Sequence, residues 1–280
     1  MQNQRRPRGR PKSQFKESSA GTMQSLDRAL GVLTAVAARD RSALTDLAAA
    51  LDIPTATTHR ILTTLQKHGY VGFDEDRQEW MIGIEAYRAG ATFLKRNSVI
   101  EIGQTRLRKL MRDTGETANL AVPDGPSVVF VGQVETENPI RAFFPPGSRT
   151  RMHASGTGKA ILAAMPDDAL DRFFRDADLP RHTDRTLVTR ATLEADLADT
   201  RARGWSHDHA ERYEGMSCIG AAIFNERGLP CGGVSVSGPS GRFAADSIAA
   251  IGARVSAAAT VITLASGGRP TNPGQNPAIG

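Results

Sequence analysis

A short segment of small and hydroxylic residues, HASGTGKAIL at positions 153–162, has the composition of an anion-binding helix start. Ser155 is a preferred N-cap residue, and the first amides of the helix that it would cap belong to Gly156, Thr157 and Gly158. Free amides at a helix N-terminus attract anions, and glycine allows a ligand to approach the backbone closely. The segment is therefore either a carboxylate site or an ordinary capped helix with glycines for packing.

Two other chemistries are less consistent with the sequence. A P-loop would require Gly at the place of His153 and Ser or Thr at the place of Ala160. A metal site formed by His207, His209 and Cys218 rests on one H-x-H pair and a distant thiol, which is a weak pattern. We expect neither a metal nor another cofactor.

A second candidate for ligand contact is the segment CGGVSVSGP at positions 231–239. In an extended strand Ser235 and Ser237 share one face, and Val234 and Val236 share the other. The serines are either solvent-facing residues of an amphipathic strand or hydroxyls that point into a site. Beside an anion site, two inward hydroxyls are useful ligands.

The segment from 98 to 265 alternates short apolar strands and helices irregularly. The strand candidates are ETANLAVP at 116–123, SVVFVGQV at 127–134 and IRAFFPP at 140–146, and a last helix is predicted from about Ala244 to Ala265. The irregular alternation does not fit a Rossmann sheet and favours an α+β domain with an antiparallel sheet. A disordered tail is predicted over 266–280, which is rich in Gly, Pro and Asn.

The N-terminus concentrates positive charge in a segment that cannot form a core. Residues 1–16 contain six Lys or Arg and no acid, whereas the whole 280-residue chain has a net charge of only +5. The motif PRGRP resembles an AT-hook, in which extended backbone lies in a narrow minor groove with side chains such as Arg8 and Arg10 along it. We predict a disordered basic arm over 1–21 that contacts DNA; the alternative is a solubilising tail.

Behind the arm, residues 22–83 have the pattern of a winged helix-turn-helix. Helices are predicted over 22–39, 43–51 and 55–69, with a break at Asp-Ile-Pro before the third. The third helix would place Ile61, Leu62 and Leu65 inward and its hydroxyls outward. The predicted DNA-binding residues of this unit are Thr55, Thr57, Thr58 and Arg60, with Arg77 at the tip of the wing.

The wing is a hairpin of two strands, Tyr70–Phe73 and Glu79–Ile82, around the polar turn 74–78. A linker helix is predicted over 84–97, and its apolar residues, among them Ile84 and Tyr87, suit a dimer interface. The chain contains neither an apolar run of membrane length nor a secretory signal, and its two cysteines form no CxxC motif. We expect a cytoplasmic protein without membrane contact.

Three segments together resemble the IclR family of bacterial transcriptional regulators: the winged helix-turn-helix, RMHASGTGKAILA at 151–163, and GMSCIGAAIFN at 215–225 with VSVSGP. The resemblance covers residues 22–265. It implies a GAF-like effector-binding domain over 98–265, homodimers or dimers of dimers (a homotetramer), and double-stranded operators with dyad symmetry.

The resemblance extends to members that respond to glyoxylate and related 2-oxo acids. It implies that the effector is contacted by Gly156, Thr157, Asp208, Cys218, Ser235 and Ser237. Those relatives have Ala where this chain has Thr157, which adds a hydroxyl and bulk to the site. Ala142 and Thr150 are expected to line its wall, with Phe143 and Phe144 adding apolar surface.

The resemblance therefore implies a nucleoid-associated regulator whose operator binding depends on a small 2-oxo acid, with the β-hydroxyaspartate route of glyoxylate assimilation as its expected context. One alternative is an enzyme acting on a small acid with an attached DNA-binding domain. That reading needs a nucleophile and a base, and His153 beside Ser155 is the nearby pair. The other alternative is an architectural DNA-binding protein.

Overall fold

The computed structural model describes residues 23–95 and 98–270, in two compact units that divide between Phe93 and Leu94. The predicted basic arm over 1–21, with Arg8 and Arg10, and the end of the predicted tail from 271 lie outside the described residues. The predicted fold class is confirmed: an α+β chain has a helix-turn-helix unit first and a unit with an antiparallel sheet second.

The first unit consists of helices around a small antiparallel sheet. Its elements are α1 (Gln24–Ala37), β1 (Ser42–Ala43), α2 (Leu44–Leu51), α3 (Thr55–Lys67), β2 (Val71–Asp74), β3 (Glu79–Ile82) and α4 (Ile84–Lys95). Strand β3 lies between β1 and β2, so the predicted two-stranded wing gains a short third strand. The turn between α2 and α3 begins at Asp52, which adopts a left-handed conformation with φ of 51° and ends α2.

The core of the first unit takes its α1 residues from one face of that helix. Val32 and Val36 are fully buried with Leu47 of α2 and Leu62 of α3. In contrast, Leu26 and Leu30 are more than half exposed. Helix α1 therefore has two apolar faces, and one of them is not covered within this unit.

The second unit contains a six-stranded antiparallel sheet in the order β6-β5-β4-β9-β8-β7. Its strands are β4 (Thr117–Asp124), β5 (Ser127–Val134), β6 (Arg149–Arg151), β7 (Ser206–His209), β8 (Met216–Phe224) and β9 (Pro230–Pro239). Its helices are α5 (Ser98–Thr114), α6 (Gly156–Ala164), α7 (Asp167–Asp176), α8 (Arg190–Arg203) and α9 (Ile248–Ala265). The strand predicted over 140–146 does not form; that segment is irregular.

The sheet is covered by helices on both faces, and each face has its own core. Val234 and Val236 of β9 lie in the core formed with α5 and α9. Helices α6, α7 and α8 pack on the opposite face, against residues such as Phe130 of β5. Because neighbouring residues of a strand point to opposite faces, Ser235 and Ser237 lie on the α6 side. The alternation in VSVSGP thus separates a structural face from a polar face.

Among the described residues, α9 is the one helix that is long and apolar enough to cross a membrane. The mean hydropathy of its 18 residues is 1.7, and the helix meets the requirement for a membrane span by length and composition only. Val255 and Ile262 are nevertheless fully buried in the core against α5 and the sheet. After α9 the chain still contacts the turn that follows β8, because the Arg269 amide donates a hydrogen bond to the Asn225 carbonyl at 3.0 Å. The predicted disorder therefore does not begin at residue 266.

Candidate functional site

Helix α3 presents an exposed surface suited to a DNA groove. Thr55 and Arg60 are exposed, and Thr57 is partly exposed. Arg77 is exposed at the turn of the wing, where its amide donates to the Asp74 carboxylate at 3.1 Å. These four residues can reach a ligand outside the unit.

Thr58, which we predicted to contact DNA, does not belong to that surface. It is fully buried, and its hydroxyl donates to the Pro54 carbonyl at 3.3 Å. The reason is helical periodicity, because Thr58 lies one turn before the buried Leu62. We predicted an exposed position because threonine is polar. The hydrogen bond to the preceding turn instead allows the hydroxyl to be buried.

In the second unit the strand register aligns several predicted effector residues. Asp208 of β7 is opposite Cys218 of β8, Cys218 is opposite Ser237 of β9, and Ser237 is opposite Thr117 of β4. Directly opposite residues of an antiparallel sheet point to the same face. One side chain from each of four adjacent strands thus contributes to a single polar row across the sheet. Ser235 lies two residues further along β9 on the same face.

The N-terminus of α6 is seated directly on this row. A Cβ atom added to Gly156 would lie 2.8 Å from the Cys218 Sγ, and one added to Gly220 would lie 2.6 Å from the Thr157 amide nitrogen. Ser155 caps the helix by accepting a hydrogen bond from the Gly158 amide at 3.3 Å. The predicted helix start, strand face and thiol therefore converge in the structure.

A small cavity opens beside this convergence. Four of the predicted effector residues line it: Thr150, Asp208, Cys218 and Ser237. Phe130 and Phe144, whose rings stack at 4.9 Å, form part of its apolar wall. Of the other wall residues that we predicted, Ala142 is buried without lining the cavity, and Phe143 is 62 % exposed.

Three buried hydroxyls in this region have no hydrogen-bond partner among the described residues. They are the Oγ1 atoms of Thr150 and Thr157 and the Oγ atom of Ser235. Buried polar atoms are normally paired, so a group of unpaired ones is typical of a site that is completed by a ligand or by water. Thr150 lines the cavity, whereas Thr157 and Ser235 lie where the start of α6 meets β8 and β9. The Thr150 hydroxyl therefore supports polar recognition in the cavity.

The protonation states of the two central residues follow from burial. Burial raises the pKa of the Cys218 thiol to about 11, with the Asp208 charge as a further cause, so the thiol is neutral at pH 7. Burial also raises the pKa of Asp208, whereas hydrogen bonds from the backbone amides of Glu211 and Arg212 lower it. Cys218 therefore offers a neutral thiol rather than a thiolate nucleophile.

A buried ion cluster holds the strand that carries Asp208. The Lys159 side chain of α6 is 0 % exposed, and its Nζ donates at 2.6 Å both to the Glu211 Oε1 and to the His207 carbonyl. The Asp196 Oδ2 lies 3.1 Å from the same nitrogen. In turn, the Glu211 amide donates to the Asp208 Oδ1 at 2.7 Å. Lys159 thus connects the helix at the cavity to the loop that orients Asp208.

His153 and Ser155, the pair that the enzyme alternative requires, both make structural hydrogen bonds. The His153 Nε2 lies 3.0 Å from the Pro180 carbonyl, and the Ser155 hydroxyl accepts from an amide as a helix cap. These contacts assign both side chains to structural bonds rather than to a nucleophile and base pair. Within residues 23–95 and 98–270, no group of three His, Cys, Asp or Glu is arranged to hold a metal ion.

Comparison with known families identifies both units. Residues 25–75 match the IclR helix-turn-helix domain, and residues 91–264 match the bacterial transcriptional regulator IclR C-terminal domain. The chain belongs to the IclR family. The predicted family is therefore confirmed, and the cavity lies in the domain that members of the IclR family use for small-molecule effectors.

Relatives match the chain over most of its length. The HTH-type transcriptional regulator BhcR of Paracoccus denitrificans (strain Pd 1222) is 46% identical over 84% of both chains. The transcriptional repressor IclR of Escherichia coli (strain K12) is 38% identical over 93% of this chain and 96% of its own. The crystal structure of Thermotoga maritima IclR is similar with a TM-score of 0.72 and 26% identity, over 88% of this chain and 100% of its own. These relatives are transcriptional regulators by name, which confirms the prediction of an IclR-family regulator rather than an enzyme.

The sequence analysis missed several residues that border the IclR-type cavity. Arg212, Tyr213 and Met216 line it. Arg212 and Tyr213 belong to no motif that we singled out, and Met216 lies in GMSCIGAAIFN without having been assigned to the site. Arg212 and Tyr213 lie in the loop between β7 and β8, and Met216 begins β8. Their only sequence signal is their position shortly before Cys218.

Proposed function

We propose that this IclR-family regulator binds glyoxylate or a related small 2-oxo acid, and that the acid modulates its affinity for a dyad-symmetric operator. The observation that carries the proposal is that Asp208, Cys218 and Ser237 converge on one small cavity at the start of α6, where Thr150 adds an unpaired buried hydroxyl. A small cavity lined by carboxylate, thiol and hydroxyl groups suits a metabolite of a few heavy atoms with several polar groups.

In the proposed complex the carboxylate of the acid lies toward the amides of Gly156 and Thr157, at the positive end of the α6 dipole. Ser235, Ser237 and the neutral Cys218 thiol donate hydrogen bonds, and Thr157 offers its unpaired hydroxyl. Asp208 accepts a hydrogen bond from a hydroxyl of the hydrated aldehyde. Asp208 therefore selects a ligand that brings its own donor at the carbon next to the carboxylate.

The operator is proposed to be read by Thr55, Thr57 and Arg60 of α3 in the major groove, with Arg77 of the wing on the adjacent backbone. Two copies of the chain are needed to read a dyad. Support for self-association comes from large apolar side chains that are exposed within the first unit. They are Leu26 and Leu30 on α1 and Ile84 and Tyr87 on α4, each between 54% and 67% exposed.

Several finer assignments belong to this proposal as well. The assembly is a homodimer or a dimer of dimers, and the protein is cytoplasmic and associated with the nucleoid. The similarity to BhcR and the proposed response to glyoxylate are consistent with a regulator of glyoxylate assimilation. The β-hydroxyaspartate route is the proposed pathway.

Isothermal titration of the purified protein with glyoxylate tests the effector. We expect wild type to bind, and Asp208→Ala to bind at least tenfold more weakly, since a charge-assisted hydrogen bond contributes roughly 1.5–3 kcal/mol. Asp178→Ala, which removes an exposed carboxylate of the same unit, should leave the affinity unchanged. Equal affinity of Asp208→Ala and wild type would refute this role of Asp208. A gel shift on the upstream DNA, with and without glyoxylate, then measures the coupling.

A further inference from the structure

The cavity has a cationic wall residue, Arg212, whose charge is not neutralised by any carboxylate of the described residues. Arg212 lines the cavity together with Asp208 and Cys218. Its Nε is buried and has no hydrogen-bond partner among the described residues. None of the ion pairs found within 23–95 and 98–270 includes Arg212.

The remaining contacts of Arg212 fix the guanidinium without satisfying the Nε–H group. The Nη1 atom lies 2.6 Å from the His182 Nδ1, so a neutral imidazole accepts from the guanidinium on that side. The ring of Tyr213 lies 5.1 Å from the guanidinium carbon, within range of a cation–π contact. A guanidinium stays charged at any physiological pH, and its Nε–H is a directional donor.

On the side of His182, the neighbours of Arg212 are cations and imidazoles. Burial lowers the pKa of His182, and the charges of Arg212 and Arg151 lower it further. Burial lowers the pKa of His153 as well; the hydrogen bond to Pro180 opposes this, and His182, Arg151 and Arg212 add to it. The imidazoles are therefore held neutral beside two permanent cations, and an anion placed there would be attracted by both.

Asp208 is the acidic residue that shares the cavity with Arg212, but the two side chains are not an ion pair. The Asp208 carboxylate accepts from the Glu211 amide at 2.7 Å and from the backbone amide of Arg212. The guanidinium is directed to His182 instead. The cavity thus has an acceptor at Asp208 and a separate charged donor at Arg212.

We infer that Arg212 is an effector-binding residue that donates its Nε–H to the effector's carboxylate, with His182 as the residue that positions the guanidinium. This inference rests on the proposed function, because it assigns a partner to the carboxylate of the same ligand. One carboxylate oxygen lies toward the α6 amides and the other toward Arg212. Arg212 therefore discriminates anionic from neutral ligands, whereas Asp208 recognises the hydroxyl.

The test compares wild type with Arg212→Gln and Arg212→Lys by titration with glyoxylate at several salt concentrations. We expect Arg212→Gln to lose at least tenfold in affinity and to lose most of the salt dependence. Arg212→Lys should lie between the two, because lysine keeps the charge but lacks the Nε donor. Arg227→Gln removes an exposed cation in the turn after β8 and should bind like wild type. Unchanged affinity and salt dependence in Arg212→Gln would overturn the inference.

A thermal-shift panel of glyoxylate, acetate, oxalate and pyruvate separates this inference from the choice of effector. If another acid stabilises wild type but not Arg212→Gln, and glyoxylate stabilises neither, the proposed effector is wrong and the role of Arg212 stands. If the acids stabilise both proteins equally, or stabilise neither, the role of Arg212 is wrong. Operator affinity without any acid, measured for both proteins, verifies that Arg212→Gln is folded.

Discussion

Lys159 illustrates how a single buried charge supports the polar side of the site. Its side chain is fully buried, and it bonds to Glu211 and to the His207 carbonyl from a position three residues after Gly156. Burying an ammonium group is costly unless it is paired and hydrogen-bonded. The cluster therefore specifies how α6 and the Asp208 loop are placed relative to each other, rather than simply adding stability.

We predict that Lys159→Met destabilises the second unit by about 3–5 kcal/mol, because Glu211 and Asp196 would lose the cation that compensates their burial. Urea unfolding at pH 7.5 measures this difference. The exposed Lys109→Met, which loses only the surface pair with Asp113, should cost no more than about 1 kcal/mol. Equal stability of the two variants would contradict the structural role of Lys159.

The same substitution has a predicted pH dependence, whose sign follows from Glu211. Burial and the Asp208 charge raise the pKa of Glu211 above its usual 4.5, while Lys159 lowers it. A raised pKa means that stability is present below pH 4.5 and is lost as the pH rises and Glu211 ionises. Without Lys159 the ionised form is less favoured still. The destabilisation by Lys159→Met should therefore be larger at pH 8 than at pH 5, and a reversed trend would show that Glu211 does not control it.

Among the elements, the contact between α6 and β8 depends on glycines that face each other. Gly220 of β8 lies against the Gly156 carbonyl group and the Thr157 amide, so there is no room for a side chain between helix and strand. This close approach brings the first amides of α6 to the row formed by Asp208, Cys218 and Ser237. The glycine in the strand is thus as important for the site as the glycines of the helix.

Gly220→Ala should separate α6 from β8, because its Cβ would be only 2.6 Å from the Thr157 nitrogen. We expect a loss of about 1–3 kcal/mol in stability, as for other overpacked contacts, and a loss of glyoxylate binding. Gly241→Ala is the matched control, since nothing lies within 4 Å of the added methyl group. Thermal unfolding and titration of both variants test this; a Gly220→Ala protein that binds glyoxylate normally would contradict it.

Elements with a strong apolar pattern could be predicted from the sequence, and those with a polar or short pattern could not. Strands β4 and β5 are apolar runs and were predicted within a residue or two. Strand β7, SHDH, is a polar edge strand without apolar alternation, and β6 has only three residues. The apolar segment 140–146 misled the prediction because its prolines cannot donate to a sheet and Phe144 stacks on Phe130 instead.

The site was predictable where one short segment carries several useful groups, as in the start of α6 and the serines of β9. Lys159 and Arg212 could not be assigned in this way, because their partners are distant in the chain. Lys159 bonds to the His207 carbonyl 48 residues away, and Arg212 contacts His182 30 residues away. Thr58 shows the opposite error, in which polarity was given more weight than helical spacing.

At the scale of the whole molecule, the positive charge of the sequence is concentrated near the N-terminus. Residues 1–16 carry six cations and no acid, and the remaining residues carry 29 cations and 30 anions. Residues 17–97, which include the helix-turn-helix, contain nine Lys or Arg against ten Asp or Glu. We therefore predict that attraction to the phosphate backbone comes largely from residues 1–16, and base recognition from α3.

Deletion of residues 1–16 should lower the affinity for any duplex and flatten its dependence on salt. Each lost phosphate contact reduces the slope of log K against log salt by about 0.9, so the loss of a few contacts is readily measured by fluorescence anisotropy. Deletion of 271–280, a terminal segment of ten residues without charged side chains, is the control and should leave the slope unchanged. Discrimination between operator and random DNA should survive in both proteins, because α3 is intact. An unaltered slope after deletion of the arm would instead place the phosphate contacts in the folded units, despite their near-neutral charge.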